Sequence, residues 1–178
     1  MTHDDQLIEE TRDTEETGAT QAREAAEEHA GLARRLHLLE DKEALRALLV
    51  RGWRALDLRD WDAWAGCWTE DAVLEFGPWE TIRGRDAIRA RVIEAESGYA
   101  HMQHHLLNTH FEVDGDRATG IGYMWFVAVA GPDGATAPYA MGGPYDWEFV
   151  RTADGWRVTR QRLGVWWTHG EDPTAAFG

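Results

Sequence analysis

Beyond Ser97-Gly98 the chain reads almost without a break as β-strand, and this run of strands constrains the fold more than any other feature of the sequence. Stretches at about 101–113, 117–130, 137–151 and 156–168 are separated by Asp114-Gly115-Asp116, Gly131-Pro132-Asp133-Gly134 and Asp154-Gly155. Asp-Gly and Pro-Asp-Gly strings supply the backbone freedom and local hydrogen bonds of tight turns, so the strands are expected to pair as antiparallel hairpins.

Three helical segments precede them. From Leu36 onward, Leu38, Leu45, Leu48, Leu49, Trp53 and Leu56 recur at helical spacing and predict a long amphipathic helix. Asp60 reads as the N-cap of a short second helix with Asp62 in its first turn; Trp61, Trp64 and Trp68 form a stripe at i, i+3 and i+7. Ala72–Phe76 alternates as a short strand ended by Gly77-Pro78. A third helix runs from about Arg85 to Glu96 behind Gly84, with Ala87, Ile88, Val92 and Ile93 apolar. Helices followed by hairpins predict an α+β domain whose sheet buries one face against the helices.

Composition narrows the function classes. Of 178 residues, 18 are Lys or Arg and 32 are Asp or Glu, a formal charge of −14. Residues 1–30 hold ten of the acids against Arg12 and Arg23, a net of −8, so the remainder carries only −6. No basic footprint exists to neutralise phosphates, which sets nucleic acid aside as a partner. No apolar run approaches the roughly 20 residues of a membrane span, and no signal-peptide pattern opens the chain; no membrane partner and a soluble, cytoplasmic protein are expected.

Residues 1–20 lack apolar periodicity and read as a disordered acidic tail, 21–168 as a single domain, and 169–178 as a C-terminal tail. That last tail, with Phe177 near its end, either frays or folds across a pocket mouth as a lid. The single cysteine, Cys67, excludes an internal disulfide and a multi-Cys metal site, and reads as a small buried filler.

Two places carry candidate chemistry. Asp57 follows Trp53 by four residues and so borders the apolar stripe, where a carboxylate needs a partner; a solvated helix-end aspartate is the plainer alternative. The second is His101-Met102-Gln103-His104-His105, followed by Asn108 and His110. On a helix, His101, His104 and His105 would share a face and could meet a metal. On a strand, His104 and His105 point opposite ways, and His104 and His110 share a face about 20 Å apart at ~3.3 Å per residue. Leu106-Leu107 and Phe111-Glu112-Val113 favour the strand, and no metal site is expected. A buried neutral histidine bonded to its neighbours is the alternative to a functional one.

Several strings in order carry a family likeness: Trp53 to Asp62, Thr69-Glu70-Asp71-Ala72, Ile82 to Ile88, His104 to Asn108, Asp114 to Ala118, and Asp154 to Val158. Over about residues 36–168 the chain resembles the SnoaL-like branch of the nuclear transport factor 2-like superfamily. The likeness is nearest to scytalone dehydratase, hexachlorocyclohexane dehydrochlorinase and bile-acid 7α-dehydratase. It implies a cone-shaped α+β barrel, three N-terminal helices packed on a curved antiparallel sheet, with a pocket at the open end.

The resemblance also implies site residues. Asp57 matches the family's helix aspartate and His104 the histidine that pairs with it, with His105 the alternative one position along. An ionised Asp57 accepting the Nδ1 hydrogen of His104 would leave Nε2 as a free general base. Tyr145 stands where scytalone dehydratase has a pocket asparagine; its hydroxyl either polarises substrate or simply packs. Arg160 either neutralises a departing anion or is an exposed arginine. Leu56 and Phe76 replace two tyrosines of scytalone dehydratase, and Val129 or Ala130 its second histidine, which speaks against scytalone as substrate.

By the resemblance and strand parity, Trp53, Phe76, Trp79, Met124, Phe126, Leu163 and Trp167 line a pocket for a small hydrophobic molecule. The activity implied is a lyase or dehydratase acting without cofactor. An isomerase or polyketide-type cyclase using the same base, and a non-catalytic binding or partner subunit, are the alternatives. A homodimer or homotrimer through the sheet is expected.

Overall fold

The computed structural model describes residues 3–130, 138–172 and 174–177. Two compact units are present, residues 1–41 and residues 42–178. The first is helical throughout its described length, part of helix α1 (His3–Asp57). Helix therefore occupies the stretch expected to be a disordered tail. Residues 21–41 are rich in Ala, Glu, Leu and Arg and hold no proline, which favours helix there. Residues 3–20 are rich in Thr and Asp, and propensity does not explain the helix over them. Residues 23–30 are exposed, and Arg23 pairs with Glu27 at 3.0 Å across one turn.

The second unit takes the end of α1 and then α2 (Trp61–Ala65), β1 (Trp68–Phe76), β2 (Ile82–Arg83) and α3 (Arg85–Glu96). β3 (His101–Asp114), β4 (Arg117–Val129), β5 (Tyr139–Thr152), β6 (Gly155–Leu163) and β7 (Trp167–His169) follow. The expected α+β architecture is present as a curved, unclosed sheet in the order β2-β1-β6-β5-β4-β3, with β7 added beside β5. Consecutive strands from β3 to β6 pair antiparallel, whereas β1 lies parallel to β6. The turn signal at Gly131-Pro132-Asp133-Gly134 and the expected strand start at residue 137 lie outside the described residues.

Alternation makes the core. On β4 the inward set Ala118, Gly120, Gly122, Met124, Phe126 and Ala128 is buried while the residues between them face out. Gly120 is required by space: a Cβ there would stand 2.9 Å from the Phe111 ring. Leu45, Leu48, Leu49, Trp53 and Leu56 of α1 are buried, as are Ile88, Val92 and Ala95 of α3. Tryptophans fill the space between the layers: Trp53 stacks on Trp68 at 6.4 Å and meets Trp147 edge-on at 6.4 Å. Cys67 is buried, with its thiol pushed up in pKa by desolvation.

Local features differ from the sequence expectation: α2 ends at Ala65, so Trp68 leaves the helical stripe of Trp61 and Trp64 and opens β1 ahead of the expected Ala72. Asn108 sits at φ 53 in a bulge where the β3–β4 register shifts, so parity reverses beyond it and His110 is exposed instead of sharing the face of His104. The last expected strand also divides: β6 ends at Leu163 and β7 begins at Trp167, paired with β5.

Candidate functional site

Asp57 is the last residue of α1 and Glu96 the last of α3. Helix C-termini carry the negative end of the macrodipole, so both are places where a carboxylate is disfavoured and a cation welcome. His104, on the inward face of β3, lies between them. Its Nδ1 is 2.8 Å from Asp57 Oδ1, and its backbone N–H donates to the same oxygen at 3.0 Å. Its Nε2 is 3.6 Å from Glu96 Oε1. All three side chains are more than nine-tenths buried.

Other contacts hold this arrangement in place. Arg59, at φ 60 just past α1, donates through Nη2 to the carbonyl of Tyr99 and, at 3.1 Å, to that of Ala100, tying the α1 end to the start of β3. Asp60 caps α2 as expected, its Oδ1 accepting from the Ala63 N–H at 3.0 Å. Phe126 lies against the imidazole, ring centres 4.7 Å apart. His105 points the other way, toward Trp125, which makes His104 the inward residue of the pair.

Electrostatics follow from the packing. Desolvation works to lower the pKa of His104, but the Glu96 charge and the hydrogen bond to Asp57 outweigh it and raise the imidazole from 6.5 to about 9. The direction of the shift favours the imidazolium, with a proton on both nitrogens. The expectation of an unoccupied Nε2 needs correction, because Glu96 stands beside it. The signal for Glu96 was present: it follows Ile88 and Val92 at i+8 and i+4 and so lies on the buried stripe of α3.

His104 and Glu96 face a cavity of about 40 Å³, lined otherwise mainly by apolar side chains. Trp53, Phe76, Trp79, Met124 and Leu163 line it, joined by Trp64, Tyr145, Gln161 and Phe177, while Phe126 is not among the lining residues. Tyr145 accepts a hydrogen bond from Trp53 Nε1 at 3.1 Å, and burial raises its pKa. Gln161 accepts from Trp147 Nε1 at 2.9 Å. Trp167 is not at the cavity: with β6 and β7 separated, it lies exposed on β7 against Trp125. Arg160 is held by Glu75 at 2.6 Å and does not line the cavity.

The C-terminal segment covers this region. Phe177 stacks on Trp79 at 5.6 Å and meets Phe76 at 5.5 Å, while Trp79 Nε1 donates to the Ala176 carbonyl at 2.9 Å. Asp172 gathers the segment: Oδ1 accepts from the Tyr99 hydroxyl at 2.7 Å and Oδ2 from the Phe177 N–H at 2.9 Å. Desolvation would raise the Asp172 pKa, yet these bonds and those from Thr174 hold it below the usual carboxylate range.

The fold agrees with the family comparisons. Residues 37–162 match the SnoaL-like domain model, and the chain belongs to that family, within the nuclear transport factor 2-like superfamily. An uncharacterized protein of Mycobacterium tuberculosis is 30% identical over 124 residues, 69% of this chain and 84% of the relative. A structure from Novosphingobium aromaticivorans, provisionally described as an aromatic ring hydroxylase, superposes with a TM-score of 0.68 at 27% identity, covering 77% of this chain and 97% of that one. Another from the same organism, provisionally described as a scytalone dehydratase, gives a TM-score of 0.65 at 18% identity over 73% and 89% of the chains. Among the described residues no helix is long and apolar enough to cross a membrane.

Proposed function

We propose that this protein is a cofactor-independent lyase of the dehydratase type, acting on a small hydrophobic cyclic or aromatic metabolite through a proton-transfer centre at His104. The observation that carries this reading is the 2.8 Å contact between His104 Nδ1 and Asp57 Oδ1 beside an apolar cavity. Asp57 fixes the ring's orientation and stabilises the imidazolium, so proton exchange with substrate is confined to Nε2. Tyr145, with its hydroxyl neutral, is positioned as a hydrogen-bond donor to a carbonyl or leaving group. The neighbour provisionally described as a scytalone dehydratase supports the fold; the reaction class is argued from the pair.

A cavity of about 40 Å³ holds only a few water molecules, so a cyclic substrate needs additional room. Residues 174–177 are the lid in this reading: lifting Phe177 from Phe76 and Trp79 opens the aromatic slot for a substrate ring. The protein is further proposed to be a homodimer or homotrimer that covers Tyr123, Trp125 and Trp167 on the outer sheet face.

Asp57→Asn and His104→Ala test the central assignment. Each is expected to reduce turnover by a factor of about 10² to 10⁴ while the circular dichroism spectrum is retained. Wild-type rates in either variant would contradict it.

A further inference from the structure

The proton-transfer centre has a second carboxylate, and we infer that Glu96 is a catalytic base working with His104 as its acid. This deepens the lyase reading and rests on it. Glu96 is 5% exposed, and its Oε1 stands 3.6 Å from His104 Nε2. Its other oxygen, Oε2, is buried without a hydrogen-bond partner, and the side chain lines the cavity. A buried, unpartnered carboxylate oxygen has a large desolvation cost unless it serves an occupant of the space it faces.

Charge counting gives the roles. The groups facing the imidazole are Asp57 from α1 and Glu96 from α3, with the neutral Tyr145 of β5 on the same cavity. One proton shared between His104 Nε2 and Glu96 leaves the three with a net charge of −1, and the bond from Nδ1 to Asp57 at the α1 C-terminus favours its placement on the imidazole. His104 thus begins the cycle as an acid. The Glu96 carboxylate, with Oε2 unpartnered, is the group placed to accept a proton.

Glu96 Oε2 takes the proton from the carbon beside a substrate carbonyl. The electron pair of that C–H bond forms the new C=C bond as the C–O bond on the adjacent carbon breaks. The departing hydroxyl takes the Nε2 proton of His104 and leaves as water. Glu96 is then protonated and His104 neutral; transfer of the proton from Glu96 to Nε2 across the 3.6 Å gap restores the starting state.

Glu96→Gln separates this role from a mechanism in which His104 alone is the base. Removing the carboxylate charge lowers the pKa of His104 and frees Nε2. A histidine base would therefore run at least as fast at pH 7, whereas loss of the Glu96 base reduces kcat by about 10² or more with KM little changed. Glu96→Asp is expected to recover part of the rate. The substrate is any member of a panel of hydroxylated steroids, aromatic polyketides and terpenoids that the wild type dehydrates, and ¹⁵N NMR of the His104 ring is recorded alongside. An imidazolium in the wild type at pH 7, neutral in Glu96→Gln, with collapsed kcat is the expected result. Wild-type kcat in Glu96→Gln, or a neutral His104 in the wild type, overturns the Glu96 role and leaves the lyase reading standing. A wild type inactive on the whole panel overturns the lyase reading and this role with it.

Discussion

One oxygen of Asp57 accepts two hydrogen bonds from His104, at 3.0 Å from its backbone N–H and 2.8 Å from its ring. The contact fixes strand and ring together, so Asp57 sets both where β3 starts across the cavity and which way the imidazole turns. Asp57→Asn keeps an acceptor for one of the two donors but removes the charge. Asp57→Ala leaves both buried donors unpaired, at about 1–3 kcal/mol each. Chemical denaturation is therefore expected to rank stability as wild type, then Asp57→Asn, then Asp57→Ala.

His104 makes stability pH-dependent in a stated direction. Its pKa in the fold is raised from 6.5 to about 9, so the native state holds its proton longer than the unfolded chain does. The stabilisation is fully present below the unfolded pKa and is lost as pH rises through the folded one, an effect on the order of 3 kcal/mol. Unfolding free energies measured from pH 6 to 10 are expected to fall more steeply in the wild type than in His104→Gln.

Phe177 is buried against five aromatic neighbours, among them Trp79 and Phe76. Phe177→Ala is expected to cost about 3–5 kcal/mol in unfolding free energy, because the site keeps the void. If the segment is the lid, the same change also speeds entry of an apolar fluorescent probe, measured by stopped flow. Slower entry, or none, contradicts the lid.

The outer sheet face leaves Trp125 50% and Trp166 68% exposed. Trp125→Glu places a charge in the middle of this aromatic surface. Light scattering coupled to gel filtration is expected to show a dimer or trimer in the wild type and a monomer in the variant. A monomeric wild type contradicts the assembly.

Much of the fold was legible because periodicity changes sharply at Ser97-Gly98, from helical spacing to alternation. Helix α3 has the expected bounds, and the Asp-Gly turns separate β3 from β4 and β5 from β6. Asp57 and His104 needed the family likeness to be paired, since 47 residues separate them in the chain and nothing local joins them. What stayed hidden depended on tertiary geometry. Parity was counted through Asn108 without its bulge, which misplaced His110, and through Gly164 without the break before β7, which misplaced Trp167. Glu96 was overlooked because a glutamate at a helix end reads as solvated, although its spacing from Val92 marks the buried stripe.

Mass spectrometry of panel substrates incubated with wild type and His104→Ala tests the central claim most directly. The account predicts a product lighter by one water from at least one hydrophobic cyclic substrate, absent with His104→Ala. A ligand retained unchanged by the wild type, with no substrate turned over, or equal product from both proteins, would contradict it.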